Sequence, residues 1–162
     1  MSSAKNIKIG IGYDIHRLEK GRPLILGGVL IPHTKGIVAH SDGDVLIHAL
    51  SDALLGALAL PNIGYYFPDT DPKNQNLNSF HILQFVLSQL RDRDYFVNNI
   101  DAVIIAQEPK LLPFIPKMRK NIAQQADISL EDIGLKATTH EKLGEIGKGD
   151  AIAVLANVLI SR

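Results

Sequence analysis

Apolar and polar side chains alternate along several segments of the chain, and this pattern is typical of strands. Residues 7–14 alternate apolar residues with Lys and Gly, which predicts a strand that ends at an Asp-x-His pair. Residues 23–32 hold two short apolar runs around Gly27 and Gly28, which predicts a β-hairpin because a two-residue turn requires positive φ angles. Further strands are predicted over residues 97–107, 133–139 and 151–161.

Three other segments carry apolar residues at helical spacing. The first follows Ser41 and Asp44, whose spacing resembles a capping box, and it predicts a helix that continues to about Leu60. The second is predicted to begin at a Ser79 cap and to end near Arg93. A third helix is predicted from Pro113 in its first turn, with an apolar face of Ile115, Met118, Ile122 and Ala126.

The order of these elements predicts an α/β chain of the α+β type. We expect a single catalytic domain over residues 1–162, with a mixed sheet covered by helices on one face and an early hairpin. The last strand is apolar on both sides, so one face of the sheet would expose an apolar surface to water. We expect that surface to be buried in an oligomer. The residues that carry this expectation are Leu155, Val158, Leu159 and Ile160.

Charge and composition exclude several classes of protein. Lys plus Arg and Asp plus Glu number 17 each, so no net positive charge is available to bind a nucleic acid. No stretch is apolar enough to predict a membrane span, and residues 1–6 lack the apolar segment of a secretory signal. The absence of cysteine suits a reducing compartment. We expect a soluble protein of the bacterial cytoplasm, or of a plastid or similar organelle after removal of a transit peptide if the source is eukaryotic.

Asp14 and His16 are candidate ligands of a divalent metal. Strand side chains repeat every second residue, so both would project to one face. A histidine from elsewhere, such as His48, would complete three ligands and leave a fourth position open, as in catalytic zinc sites. The alternative is a solvated turn without metal, because short motifs discriminate poorly.

Two aspartates share a helical stripe with His48. Asp44, His48 and Asp52 follow one another at intervals of four residues, so they lie on one side of the predicted helix. An aspartate one turn from a ligating histidine can accept its second ring N–H and fix the tautomer. We therefore predict Asp44 and Asp52 as partners of His48, with a merely solvated helix face as the alternative.

Two strand-to-helix loops could bind a nucleotide. Residues 136–144 combine two adjacent threonines, a glutamate and two lysines, and such a cluster can hold a phosphate with Mg²⁺, which prefers carboxylate and phosphate oxygens. The segment lacks the glycines of a Walker loop, and the alternative is a Thr-rich strand end that caps a short helix. Residues 106–113 form the second loop, whose backbone amides could contact a flat base. The long loop over residues 61–72 is also expected to bind, because it is too rich in turn residues for a simple connection.

Four motifs resemble those of a known family. They are Gly-Tyr-Asp-Ile-His at 12–16, Ala-His-Ser-Asp-Gly-Asp at 39–44, Phe-Pro-Asp-Thr-Asp-Pro at 67–72 and Lys-Ala-Thr-Thr-His-Glu-Lys-Leu-Gly at 136–144. In this order and spacing, the chain closely resembles the 2-C-methyl-D-erythritol 2,4-cyclodiphosphate synthases. The resemblance implies a phosphorus–oxygen lyase of the non-mevalonate isoprenoid pathway, which converts 4-diphosphocytidyl-2-C-methyl-D-erythritol 2-phosphate to the cyclic diphosphate and releases CMP.

The resemblance also implies two metals and an assembly. Asp14, His16 and His48 match the ligands of Zn²⁺, or of another divalent transition metal. Glu141 matches the ligand of a Mg²⁺ or Mn²⁺ ion that binds the diphosphate. The family further implies a homotrimer in which each active site, with its cytidine diphosphate substrate, lies between neighbouring subunits.

Other residues match catalytic and substrate-binding positions of the family. His40 and Thr139 match groups that stabilise the transition state. The matches to substrate contacts are Ser41, Asn62, Ile63, Gly64, Phe67, Pro68, Asp69, Thr70, Asp71, Ala106, Gln107, Glu108, Pro109, Lys110, Leu111, Leu112, Thr138, His140, Glu145 and Lys148. Three of these depart from the family pattern: Asn62 replaces an aspartate that commonly contacts ribose, while Glu145 and Lys148 replace an aromatic residue and an arginine that often line a central channel.

Two other functions remain open on the sequence. A zinc phosphohydrolase could use the same three ligands to activate water, and it would release inorganic phosphate or a linear product instead of CMP and a ring. A non-catalytic trimeric module could sense cytidine nucleotides, although a pure binder would not need zinc beside the phosphate. A cyclase needs no side-chain nucleophile, because the 2-phosphate is tethered to its own target, and this suits a chain without cysteine.

Overall fold

The first strand is longer than its apolar alternation predicted. In the computed structural model, which describes residues 6–162, β1 (Ile7–Lys20) pairs with β7 (Ala151–Ser161) and then with β4 (Lys35–Ile37). Because partner strands continue beside it, the strand does not stop at Asp14, and the Asp-x-His pair lies inside β1. The prediction that a secretory signal is lacking rests partly on residues 1–5. These residues lie outside the described part of the chain.

The sheet is mixed, as predicted. Its remaining strands are β5 (Phe96–Ile105) and β6 (Ile133–Thr138), and the strand order is β4-β1-β7-β5-β6. Strands β5 and β6 pair in parallel, whereas β1–β4, β1–β7 and β5–β7 pair antiparallel. The predicted hairpin is confirmed as β2 (Leu24–Leu26) and β3 (Val29–Ile31), with positive φ angles at Gly27 and Gly28.

Three long helices form where helical spacing predicted them, with different ends. They are α1 (Val45–Ala57), α3 (Ser79–Arg91) and α4 (Ile115–Ala126), and the short helices are α2 (Ile63–Tyr66) and α5 (Gly144–Gly147). Among residues 6–162, no helix combines the length and the apolar character needed to cross a lipid bilayer. Helix α2 lies within the long loop predicted to bind, and a 3₁₀ turn at Pro72–Asn74 begins at the last residue of that loop.

The structure differs from the prediction at the starts of three helices, twice in the capping residue and once in the first turn. Asp44 itself caps α1 by accepting the N–H of Ile47, so the Ser41 hydroxyl is not the cap. Asn78 caps α3, which makes Ser79 the first helical residue. Phe114 occupies the cap position of α4 and Pro116 its first turn, because the chain enters that helix two residues later than predicted.

Helix α1 lies directly on β1 because two glycines leave space for its backbone. A Cβ atom built on Gly12 would lie 1.9 Å from the carbonyl oxygen of Ala49, and one on Gly10 would lie 1.9 Å from that of Ala53. Any side chain at these positions would push the helix away from the sheet. The contact brings His48, the neighbour of Ala49, over β1.

Among residues 6–162, α5 covers one end of the other face of the sheet, at Ala153, and the face along β1 is left exposed. Alternate residues of β1 point to it and are exposed: Ile7, Ile9, Ile11, Tyr13 and Ile15. Leu155 and Leu159 of β7 lie opposite Tyr13 and Ile9 and are half-buried, whereas Val158 and Ile160 are buried on the helix side. The last strand therefore carries apolar residues on both faces, as predicted, and the exposed side chain of Ile9 reaches 77% of its full accessibility.

We expect Gly12→Ala to destabilise the fold by roughly 1–3 kcal/mol or more, because the new Cβ overlaps the backbone of α1. The matched control is Gly56→Ala in the same helix, where the new Cβ would meet the carbonyl oxygen of Ile11 at 3.6 Å, an ordinary contact. This control should gain up to about 1 kcal/mol from helix propensity. Chemical denaturation measures both, and equal stabilities of the two variants would contradict the close contact.

Candidate active site

Asp14, His16 and His48 form a group of three ligands, here called the metal triad. One ligand atom from each lies within 4.8 Å of the others, and the rings of the two histidines are 5.3 Å apart. The distance from His48 Nδ1 to Asp14 Oδ2 is 3.1 Å. Two ligands about 2.1 Å from one zinc ion, at a tetrahedral angle, would be roughly 3.4 Å apart. The spacing of these donors therefore fits a small divalent cation.

His16 is oriented by its own backbone. Its Nδ1 lies 2.8 Å from the carbonyl oxygen of Ile15, which can only accept a hydrogen bond. Nδ1 therefore carries the proton of the neutral ring and Nε2 keeps a free lone pair. A ligating histidine usually donates its other ring N–H to a carbonyl or carboxylate, so this arrangement suits a metal ligand.

The metal triad opens into a cavity of about 440 Å³, here called the first cavity. Both triad histidines line it, together with seven of the predicted catalytic or substrate-binding residues. These seven are His40, Ser41, Ile63, Gly64, Phe67, Pro68 and Asp69. Helix α2 and the segment before α1 thus supply opposite walls of one concave site, large enough for a small ligand.

A second cavity, of about 200 Å³, lies where β5 and β6 end. Seven predicted substrate contacts line it, together with the predicted catalytic residue Thr139 and with Ala137. The seven are Ala106, Gln107, Pro109, Lys110, Leu111, Leu112 and Thr138. The parallel pairing of β5 and β6 brings both loops to one edge of the sheet. The two cavities have no lining residue in common.

The loop after β6 brings Thr139 and Glu141 together. The Thr139 hydroxyl donates to Glu141 Oε1 at 3.2 Å, and both side chains are exposed at the surface. Glu141 and Lys142 have φ angles of 50° and 61°, a left-handed conformation that is uncommon outside glycine. The Gln107 side chain accepts the N–H of Lys142 at 3.1 Å, so the loop of the second cavity supports this turn.

Within one chain, the two cavities lie on well-separated strands. Asp14 pairs with Val154 of β7, Val154 with Ile104 of β5, and Ile104 with Ala137 of β6. Three steps of about 4.8 Å place Asp14 roughly 14 Å from Ala137. Glu141 continues beyond the end of β6, so it lies across the sheet from the metal triad of the same chain.

Comparison with known families agrees with this geometry. The YgbB family model matches residues 7–161, nearly the whole chain. This chain belongs to the YgbB family.

Curated and solved members of the YgbB family cover this chain almost completely. A 2-C-methyl-D-erythritol 2,4-cyclodiphosphate synthase of Alkaliphilus metalliredigens is 53% identical over 156 residues, which are 96% of this chain and 98% of the relative. The bifunctional IspDF of Campylobacter jejuni is 45% identical, with a TM-score of 0.93, and the match covers 98% of this chain and 43% of that one. Plasmodium falciparum IspF in a complex with CDP is 37% identical, with a TM-score of 0.85 and 98% of both chains covered.

Asp44 is not a partner of His48 in this YgbB chain, which corrects one sequence prediction. Its buried carboxylate accepts the N–H groups of Gly27 at 2.9 Å and Gly28 at 2.7 Å, besides that of Ile47. Asp44 thus fastens the β2–β3 hairpin to the start of α1. Burial raises the pKa of Asp44 to about 6, although the three N–H donors oppose that rise.

Asp52 makes its hydrogen bond to another segment and not to the ring of His48. Its carboxylate accepts the N–H of Ile63 at 2.7 Å, and burial raises its pKa above the ordinary value. Regular helical spacing predicted a shared stripe, but each aspartate is drawn to unpaired backbone N–H groups of a neighbouring segment. Asp52 therefore holds the start of α2 at the wall of the first cavity.

The observed partners of the His48 ring come from other segments. Nε2 lies 2.9 Å from the hydroxyl of Ser79 and 3.3 Å from that of Ser41. Asp42 accepts the N–H of Ser79 at 3.0 Å. The sequence prediction missed Ser79 and Asp42 as site residues, because no local spacing connects positions 31 residues apart. It also missed five residues that line the first cavity, Val38, Ala39, Asn74, Leu77 and Ile82.

The remaining predicted residues lie outside both cavities. Asp71 caps the 3₁₀ turn through the N–H of Lys73, and Asn62 precedes α2 without a capping hydrogen bond from its side chain. Glu145 and Lys148 form an exposed ion pair of 2.8 Å on α5 and its end. The others are Thr70, Glu108 and His140, of which His140 bonds the carbonyl of Leu143 through Nδ1 at 2.7 Å.

The raised pKa of Asp44 makes stability depend on pH. The folded carboxyl group binds its proton below about pH 6 and the unfolded one below 3.8, so the stability from this group is present below pH 3.8 and is lost as the pH rises through 6. Relative to Asp44→Asn, which does not titrate, the wild type should lose about 2.4 kcal/mol of unfolding free energy between pH 4 and pH 7. Denaturation curves at one protein concentration measure this difference. A relative gain with rising pH would show that the N–H donors outweigh burial.

Proposed function

We propose that this chain is a 2-C-methyl-D-erythritol 2,4-cyclodiphosphate synthase and that residues 1–162 form one catalytic domain. The metal triad, whose two histidines line the first cavity, carries the proposal, because three protein ligands with an open position suit phosphate chemistry. The near-complete match to a relative of that name supports the substrate class. We place the enzyme among the phosphorus–oxygen lyases, and in the bacterial cytoplasm or, in a eukaryote, in a plastid or similar organelle.

The proposed reaction is an intramolecular phosphoryl transfer. An oxygen of the 2-phosphate attacks the β-phosphorus, the bond from that phosphorus to the bridging oxygen breaks, and CMP leaves with the bridging oxygen. The reacting groups are already tethered, so the protein needs mainly to position them and to stabilise negative charge. This demand matches two cavities lined by hydrogen-bond donors and small apolar groups.

We propose that Asp14, His16 and His48 hold zinc or a similar divalent transition metal, and that Glu141 contributes to a magnesium or manganese site. When bound, these cations withdraw electron density from the diphosphate and neutralise the leaving group. The orientation of His16 by the Ile15 carbonyl leaves a nitrogen lone pair free for the first cation. The contact with Thr139 holds the Glu141 carboxylate in place for the second.

We propose that one substrate molecule occupies a first cavity and a second cavity at the same time. The cytidine is assigned to the second cavity, since backbone groups of residues 106–112 can contact a flat base, and the methylerythritol phosphate to the first. CDP bound to the Plasmodium falciparum relative supports a cytidine nucleotide as ligand. His40 and Thr139, both exposed near these cavities, are proposed to donate hydrogen bonds to the reacting phosphate.

We propose a homotrimer in which each active site joins two subunits. The residues that would hold the two cations would both have to reach one diphosphate, yet Asp14 and the strand that leads to Glu141 are roughly 14 Å apart within one chain. A neighbouring subunit can bring its second cavity to this chain's first cavity. The exposed apolar row on β1 supports such an assembly, because a face of this kind is usually buried against a partner.

³¹P NMR of the protein with the cytidyl substrate, zinc and magnesium tests the proposed activity. We expect the resonances of CMP and of a cyclic diphosphate to appear together. His48→Ala should abolish turnover and lower the zinc content while circular dichroism stays unchanged. Inorganic phosphate or a linear product would support a phosphohydrolase, and tight nucleotide binding without turnover would support a sensor. Full activity with unchanged zinc content in His48→Ala would refute the metal triad.

Light scattering tests the proposed trimer. The wild type should have about three times the 17.7 kDa mass of the chain, and Ile9→Lys should dissociate it because Ile9 lies in the exposed apolar row. Leu30→Lys is the matched control, since Leu30 is also an exposed apolar residue but belongs to the separate hairpin sheet. A wild-type monomer that still turns over substrate would refute an active site shared between subunits.

A further inference from the structure

Ser79 contacts His48 on the side of the ring away from Asp14. The Ser79 hydroxyl lies 2.9 Å from His48 Nε2, whereas Nδ1 of the same ring faces Asp14 Oδ2 at 3.1 Å. The same hydroxyl is within hydrogen-bond distance of Asp42 Oδ1, and the Ser79 N–H donates to Asp42 Oδ2 at 3.0 Å. Ser79 and His48 are both buried, so water has little access to this contact.

The hydrogen atoms of this chain of contacts can be assigned by counting donors. The ionised carboxylate of Asp42 can only accept, and it faces the N–H groups of Ser79 and Asp44 as well as the Ser79 hydroxyl. The single hydroxyl hydrogen of Ser79 is therefore directed to Asp42. Ser79 can then contact His48 Nε2 only as an acceptor, so Nε2 must carry the ring proton. Asp14 can only accept as well, so without a cation Nδ1 also faces a group that needs its hydrogen. In the ring that binds a cation through Nδ1, the hydrogen on Nε2 is the only ring hydrogen, and Ser79 accepts it.

Ser41 offers the main competing arrangement. Its oxygen accepts the N–H of Gly43 at 3.1 Å, so its own hydrogen is free and could be donated to His48 Nε2 at 3.3 Å. That donation would place the ring proton on Nδ1, where a cation should bind. The Ser79 contact is shorter, and its geometry requires a donor on the ring. Ser79 therefore favours the tautomer that leaves Nδ1 free.

We propose that Ser79, held by Asp42, is a positioning residue that fixes the metal-binding tautomer of His48. This inference rests on the proposed metal triad and adds to it the two residues that orient one ligand. Nδ1 of His48 and Oδ2 of Asp14 are 3.1 Å apart, so a cation held by both would take the place of a hydrogen atom, and the Nε2–H bond to Ser79 would then be the hydrogen bond that orients the ring. Loss of the Ser79 hydroxyl should therefore weaken metal binding before it affects the fold.

Zinc affinity of the purified full-length protein, measured by competition with a chelator, tests this inference without reference to turnover. We expect Ser79→Ala to weaken zinc binding by roughly 10–100-fold, the usual effect of removing a partner of a ligating histidine. Ser51→Ala is the matched control, because Ser51 is equally buried, lies one turn from His48 and has an oxygen without a hydrogen-bond partner. The control should bind zinc like the wild type.

The position of the ring proton gives a second readout. ¹⁵N NMR of zinc-loaded, histidine-labelled protein at about pH 8.5, roughly two units above the ordinary histidine pKa, should show His48 protonated on Nε2 and coordinated through Nδ1. A ring protonated on Nδ1, or unchanged zinc affinity in Ser79→Ala, would overturn the inference. If Ser79→Ala fails to fold, the spectrum of the wild type still decides the tautomer. His48→Ala tests the metal triad separately from the role of Ser79. Wild-type zinc affinity in that variant would refute the metal triad itself.

Discussion

The close contact between α1 and β1 sets the geometry of the metal triad. Gly10 and Gly12 have no side chains, and the carbonyl oxygens of Ala53 and Ala49 occupy the space that a Cβ atom would need. His48 is the residue before Ala49, while Asp14 follows Gly12 by two positions along the strand. The distance of 3.1 Å between their side chains thus depends on a contact between two backbones. Such a contact is stiff, because no side chain can change rotamer to absorb a shift.

Polar side chains then fix the start of α1 on several sides at once. Asp44 joins the helix to the hairpin, Asp52 joins it to α2, and Asp42 joins the preceding loop to Ser79 of α3. Each carboxylate satisfies backbone N–H groups at a turn or helix start, which would otherwise be left without partners. Three carboxylates near one ligand could repel one another, but each of them faces donors. The result is a rigid site that needs few direct contacts to the metal ligands.

Local patterns predicted the elements of this fold better than the contacts between them. The turn at Gly27 and Gly28 requires positive φ angles, and the alternation in β1 reports which side faces the core, so both were visible in the sequence. Helical spacing correctly placed Asp44 and Asp52 beside His48 along the chain, yet it could not show which backbone donors would attract their carboxylates. The contact from Ser79 to His48 spans 31 residues and depends on how α3 packs against α1. Only the folded chain reveals such partners.

The sheet separates the two cavities within one chain, and its exposed face is a surface on which two chains could associate. The metal triad lies three strands away from the Thr139–Glu141 turn. Strand pairing leads from Asp14 through Val154 and Ile104 to Ala137. Curling the sheet cannot close that distance, since α1 fills its inner face. The opposite face of β1 carries a row of exposed isoleucines that water disfavours. A subunit interface built on that face would bury the apolar row, and the proposed trimer requires such an interface if one chain's second cavity is to lie beside another chain's metal triad.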